Sequence, residues 1–110
     1  MRTWLVECYG PGIDEASVAD ASDRARAAVE VARGRGAFIE YLGALLIASD
    51  EAVFHAFAAP SMPEVDEAST KAGLEFARIV ESVSIAAPEL ADALSRLLDT
   101  PSPRAKRAAV

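Results

Sequence analysis

The chain opens with a branched and aromatic run, "TWLVECY", that stops at "GPG", residues 10–12. This pattern predicts a strand followed by a tight turn. Asp14 then stands where a helix N-cap belongs. Val18, Ala21, Ala25, Ala28, Val29 and Ala32 recur at helical spacing, while Asp20, Asp23, Arg26 and Glu30 fall mostly elsewhere on the cylinder. "GRG" at 34–36 closes this helix. Two apolar segments follow, "FIEYLGALLI" (38–47) and "AVFHAFA" (52–58), parted by a short polar break. They predict a strand, a hairpin turn and a strand. A helix over 38–47 is the rival, because Ala44, Leu45 and Leu46 suit either state, but the aromatic and branched residues at both ends favour strand.

Ser61 and Glu64 stand at capping-box spacing, with Pro63 in the first turn. They open a second helix in which Val65, Ala68 and Ala72 face inward and which Gly73 ends. "RIVESVSI" (78–85) then reads as the last strand. The order is strand, helix, strand, strand, helix, strand. It predicts an α+β, ferredoxin-like βαββαβ domain over residues 1–85, with a four-stranded antiparallel sheet, both helices on one face and the other face bare. Beyond it, "AAPELADALSRLLDT" (86–100) predicts an amphipathic third helix with a stripe of Leu90, Leu94, Leu97 and Leu98. "PSPRAKRAAV" (101–110) predicts a disordered basic tail.

Strand alternation divides the side chains between the two sheet faces. On the first strand, Trp4, Val6 and Cys8 are wholly apolar and belong under the helices, which leaves Leu5, Glu7 and Tyr9 on the bare face. On the third strand the same rule sends Val53, His55 and Phe57 to the bare face, because that set holds the polar residue. His55 is thereby expected beside Glu7, with Tyr41 joining them if it shares the face of Gly43 and Leu45. A face carrying Leu5, Val53 and Phe57 is too apolar to stay in water. Two copies placed face to face cover it, so a homodimer of the dimeric α/β barrel kind is expected, with a ligand chamber between the sheets.

At 110 residues the chain fits one core, and with 52% hydrophobic and 25% charged residues it has the composition of a folded globular domain. A formal charge of -6 and a pI near 4.7 argue against nucleic-acid and membrane-surface partners. A single cysteine, Cys8, forms no internal disulfide. The N-terminal apolar stretch is broken by Glu7 too early for a signal peptide, and no apolar run reaches spanning length. The expected location is cytoplasmic.

The phrases "LVE..GPG", "FHAFAAPS" and "KAGLEFARIVESV", in that order and spacing, resemble a bacterial domain-of-unknown-function family of small ferredoxin-like domains, typified by a nickel-binding protein. The resemblance runs from Arg2 to Ile85. It implies the same fold; members of that family often carry an acidic residue at Glu7 and cysteine at His55, and commonly tryptophan at Tyr41. It also implies nickel as a cofactor. Where the nickel-binding relatives place histidines on the first strand and around the second helix, this chain has "ECY" and "EASTKAGLEF", with Ser69 and Leu74 in the latter.

No nucleophile elbow, P-loop, GxGxxG, metalloprotease motif or paired CxxC occurs. Cys8 reads as a small buried hydrophobe. The leading expectation is a binding module for an apolar small molecule or an ion, with Glu7, Tyr9, Tyr41, His55 and Phe57 lining the ligand chamber. The alternative is a cofactor-free enzyme, a cyclase, isomerase or proton-abstracting catalyst, in which His55 and Glu7 act as an acid and base pair. A nickel-type metal-binding protein that uses His55 is the reading the resemblance adds.

Overall fold

A computed structural model describes residues 1–83. In it β1 (Arg2–Tyr9), α1 (Glu15–Gly34), β2 (Glu40–Ile47), β3 (Ala52–Ala59), α2 (Met62–Lys71) and β4 (Arg78–Ser82) follow one another in the expected order. The sheet is antiparallel with strand order β2-β3-β1-β4, the ferredoxin-like arrangement. The segments expected as a third helix (86–100) and a basic tail (101–110) lie outside the described residues.

Local chemistry explains most boundaries. Asp14 caps α1 through its side chain, which accepts from the Ser17 amide at 2.8 Å, while Ser17 Oγ accepts from the Asp14 amide at 3.0 Å. Together they form a reciprocal capping box. At α2 the expected capping box is not formed. Ser61 Oγ donates to the Glu64 carboxylate itself, and the serine side chain makes no cap bond to the helix amides. Between β2 and β3 the chain turns through a single 3₁₀ turn, Ala48–Asp50, and Glu51 in the left-handed region. Gly73 follows the end of α2 with φ +74. A Cβ there would lie 2.9 Å from Arg24 Nη1, which bonds the Ala72 carbonyl at 2.7 Å and ties α1 to the end of α2.

One irregularity shapes β2. Tyr41 pairs with Phe57 but Gly43 pairs with Ala56, so Leu42 is an extra residue with no partner on β3. This is a β-bulge, and Gly43 supports it with φ 133, a backbone conformation that side-chain-bearing residues rarely adopt.

The core lies between the sheet and the helices. Trp4, Val6 and Cys8 from β1, and Val53, Phe57 and Ala59 from β3, meet Ala25 and Val29 of α1 and Val65 and Ala68 of α2. Phe57, Val6 and Val65 are fully enclosed, each contributing about 1.5–3 kcal/mol of burial free energy. Trp4 Nε1 donates to the Ala59 carbonyl at 3.1 Å, so its polar edge is satisfied inside.

Candidate functional site

Pairing partners in an antiparallel ladder project from the same side, so the register sorts every side chain. Val6 lies opposite His55, and Trp4 opposite Phe57. His55, Phe57 and Val53 therefore face the helices, not the bare side. Glu7 lies opposite Phe54 and Arg78. The imidazole and the carboxylate are on opposite sides of the sheet, so the expected acid and base pair does not exist. Tyr41, paired with Phe57, is also on the helix side; the bulge at Leu42 separates it from Gly43 and Leu45, whose face it was expected to share. Of the expected site residues, only Glu7 and Tyr9 come together on the open face.

The inward group forms a polar chain of its own. Tyr41 Oη lies 2.8 Å from His55 Nδ1 and 2.8 Å from Ser22 Oγ of α1. The tyrosine ring packs edge-on against Phe57 at 5.2 Å, and the Arg26 guanidinium lies 5.1 Å from its centroid. His55 is 1% exposed. Burial, with a lesser contribution from Arg24, pushes its imidazole down to about 4, so the ring is neutral at physiological pH. A neutral ring carries one donor and one acceptor nitrogen; the Tyr41 hydroxyl serves Nδ1, and the absence of charge is what lets a histidine stand in this core. Burial, and secondarily Glu75, pushes the Cys8 thiol up to about 11, so it stays protonated and unreactive.

The open face is best followed in rows across the strands. One row runs Leu45, Phe54, Glu7, Arg78; the next runs Gly43, Ala56, Leu5, Val80; and Glu40, Ala58, Thr3 and Ser82 follow. Leu45 and Ile47 are about two-fifths exposed. The result is an apolar wall over β2 and β3, with a low strip where Gly43, Ala56 and Ala58 carry little or no side chain. At its far end stands a polar cluster. Tyr9 Oη donates to Glu7 Oε1 at 2.9 Å, and Arg78 Nε donates to the same oxygen at 2.9 Å. Arg78, then Tyr9, holds the Glu7 carboxyl below the usual carboxylate range, and the carboxylate in turn raises the Tyr9 phenol. Glu7 is ionised and fixed in place.

Neither Arg78 nor Ser22 was singled out by the sequence. Arg78 lies 71 residues from Glu7 and only the sheet register brings them together. Ser22 could have been found as a polar residue on the inward stripe of α1.

The resemblance implies nickel, but the donor set does not fit it. Ser69 and Leu74 are core residues without a soft donor, His55 Nδ1 is engaged by Tyr41, and the Cys8 thiol is held protonated. Among the described residues no three His, Cys, Asp or Glu side chains are grouped to hold a metal. No helix among them is long and apolar enough to cross a membrane. A pocket between α1 and α2 is lined by Ala28, Ala32 and Ala68 together with Arg35 and the exposed i,i+4 ion pair of Lys71 and Glu67, 3.8 Å apart. No family model matches the chain, and comparisons with curated proteins and with solved structures give no match, so the family likeness rests on the motifs quoted above.

Proposed function

We propose that this chain is a small-molecule binding module whose ligand wall is the open face of the sheet. A second copy, set face to face, closes that wall into a chamber of the dimeric α/β barrel kind. The supporting observation is the pairing of an apolar surface with an ordered polar end. Phe54, Leu45, Ile47 and Leu5 offer non-directional burial, and Glu7, Tyr9 and Arg78 offer orientation, the composition typical of ligand sites. The single cysteine, buried and protonated, suits a cytoplasmic setting. The ligand body lies against Phe54 and Leu45, beside the low Gly43, Ala56 and Ala58 strip, and its polar end meets Glu7.

The test is sedimentation and native mass spectrometry of the full chain beside Phe54→Asp. The expected result is a dimer that retains or takes up small apolar molecules, and a variant that is folded, monomeric and empty. A wild-type chain that is monomeric and takes up no apolar molecule overturns the reading.

A further inference from the structure

The contact between Glu7 and Arg78 uses only part of what each group offers. Both hydrogen bonds to the carboxylate, from Tyr9 Oη and from Arg78 Nε, end on Oε1. Among the described residues nothing bonds Oε2 or the terminal nitrogens of the guanidinium. Glu7 is only 4% exposed, yet Oε2 is not sealed off, so a ligand donor can reach it. The Arg78 side chain, 67% exposed, keeps its terminal N–H groups available beside that oxygen. The two groups together thus present an acceptor and donors on a unit whose formal charges cancel. Phe54 and Leu45 continue the same row across two strand spacings, about 10 Å of apolar surface.

We infer that Glu7 and Arg78 form the head-group site of the open face and select an uncharged amphiphile whose polar end carries a donor and an acceptor together, as a primary carboxamide does. The amide N–H donates to Glu7 Oε2, and the amide carbonyl accepts from a terminal N–H of Arg78. The apolar body lies over Phe54 toward Leu45. A carboxylate head satisfies Arg78 but is set against Glu7; an ammonium head satisfies Glu7 but is set against Arg78. Each charged head leaves one like-charged contact, which discriminates most strongly once the second copy closes the chamber and excludes water. This inference rests on the open face being the ligand wall.

The experiment titrates octanamide, octanoate and octylammonium into the full chain by calorimetry, for wild type, Glu7→Gln and Arg78→Gln, with thermal melts to verify folding. Wild type is expected to prefer octanamide. Glu7→Gln leaves a net positive site, and octanoate should gain about tenfold on octanamide; Arg78→Gln leaves a net negative site, and octylammonium should gain by a similar factor. Arg78→Gln alters an exposed side chain and keeps the test open if Glu7→Gln fails to fold. A wild-type preference for a charged head, or a ranking unchanged by the substitutions while Phe54→Asp still abolishes binding, refutes the head-group site and leaves the ligand wall standing. If none of the three binds wild type, both fall together.

Discussion

Removing one oxygen atom tests the interior account most directly. Tyr41→Phe keeps the ring, its edge contact with Phe57 and its place beneath Arg26. It removes the hydroxyl that stands 2.8 Å from both His55 Nδ1 and Ser22 Oγ. The consequences differ at the two ends. Ser22 is only partly buried and can turn to water, so its loss is small. His55 is almost wholly enclosed, and its ring nitrogen has no other described partner. The lost hydrogen bond costs about 1 kcal/mol and the stranded nitrogen about 1–2 more, for a total of about 2–3 kcal/mol. Urea unfolding followed by the fluorescence of Trp4, the one tryptophan, reads this as a lower midpoint at constant slope. Replacing both partners removes the stranded group as well. Tyr41→Phe with His55→Leu should therefore cost less than the sum of the two singles, with a coupling of about 1–2 kcal/mol. A Tyr41→Phe variant within about 0.5 kcal/mol of wild type, or strict additivity in the double variant, refutes the claim that this hydroxyl serves the enclosed imidazole.

Two further outcomes follow from buried polar groups. The His55 imidazole sits at about 4 in the fold against 6.5 when free. Between those values the unfolded chain takes up a proton that the fold refuses. Stability should therefore be whole above pH 6.5 and fall as the pH drops from 6.5 toward 4, by up to about 1.4 kcal/mol per pH unit. Denaturant midpoints across that range should show this slope in wild type and lose it in His55→Leu; equal slopes in both would contradict the assignment. Ser69 Oγ on α2 is enclosed without a hydrogen-bond partner among the described residues. Ser69→Ala should raise stability by roughly 1 kcal/mol, since it removes an unpaired hydroxyl and improves helix propensity. A lower melting temperature would show that the hydroxyl has a partner.

The element order was legible because its boundaries are written in local chemistry. "GPG", "GRG", the proline and serine before α2, and Gly73 all act within a few residues of where they stand. The inward set of β1 was legible for a similar reason, since Trp4, Val6 and Cys8 admit no polar ambiguity. Facing failed on β3, where the rule that the polar residue points outward chose the wrong side. Bulk was the better guide: Val53 and Phe57 fill the core, while Ala56 and Ala58 leave the open face low. The imidazole follows them inward because it is neutral there and a tyrosine from another strand satisfies it. That partner is invisible to any rule confined to one strand. Tyr41 was misplaced because regular alternation was carried through Leu42, where the backbone breaks it. The polar end of the open face was half legible. Glu7 and Tyr9 are two residues apart, but Arg78 arrives only once β4 has docked.

The unpaired Leu42 inverts the parity of its strand. Upstream of it, odd-numbered positions of β2 look toward the helices; downstream, the even-numbered ones do. Tyr41 can thus enter the interior while Leu45 and Ile47, on the same strand, remain on the outer wall. Excising Leu42 would reverse the allegiance of every residue on one side of the cut. Either the tyrosine is turned out of the core, or both wall residues are turned into it. A single supernumerary leucine thereby lets one strand serve both the internal hydroxyl chain and the outer surface, and without it only one of the two survives.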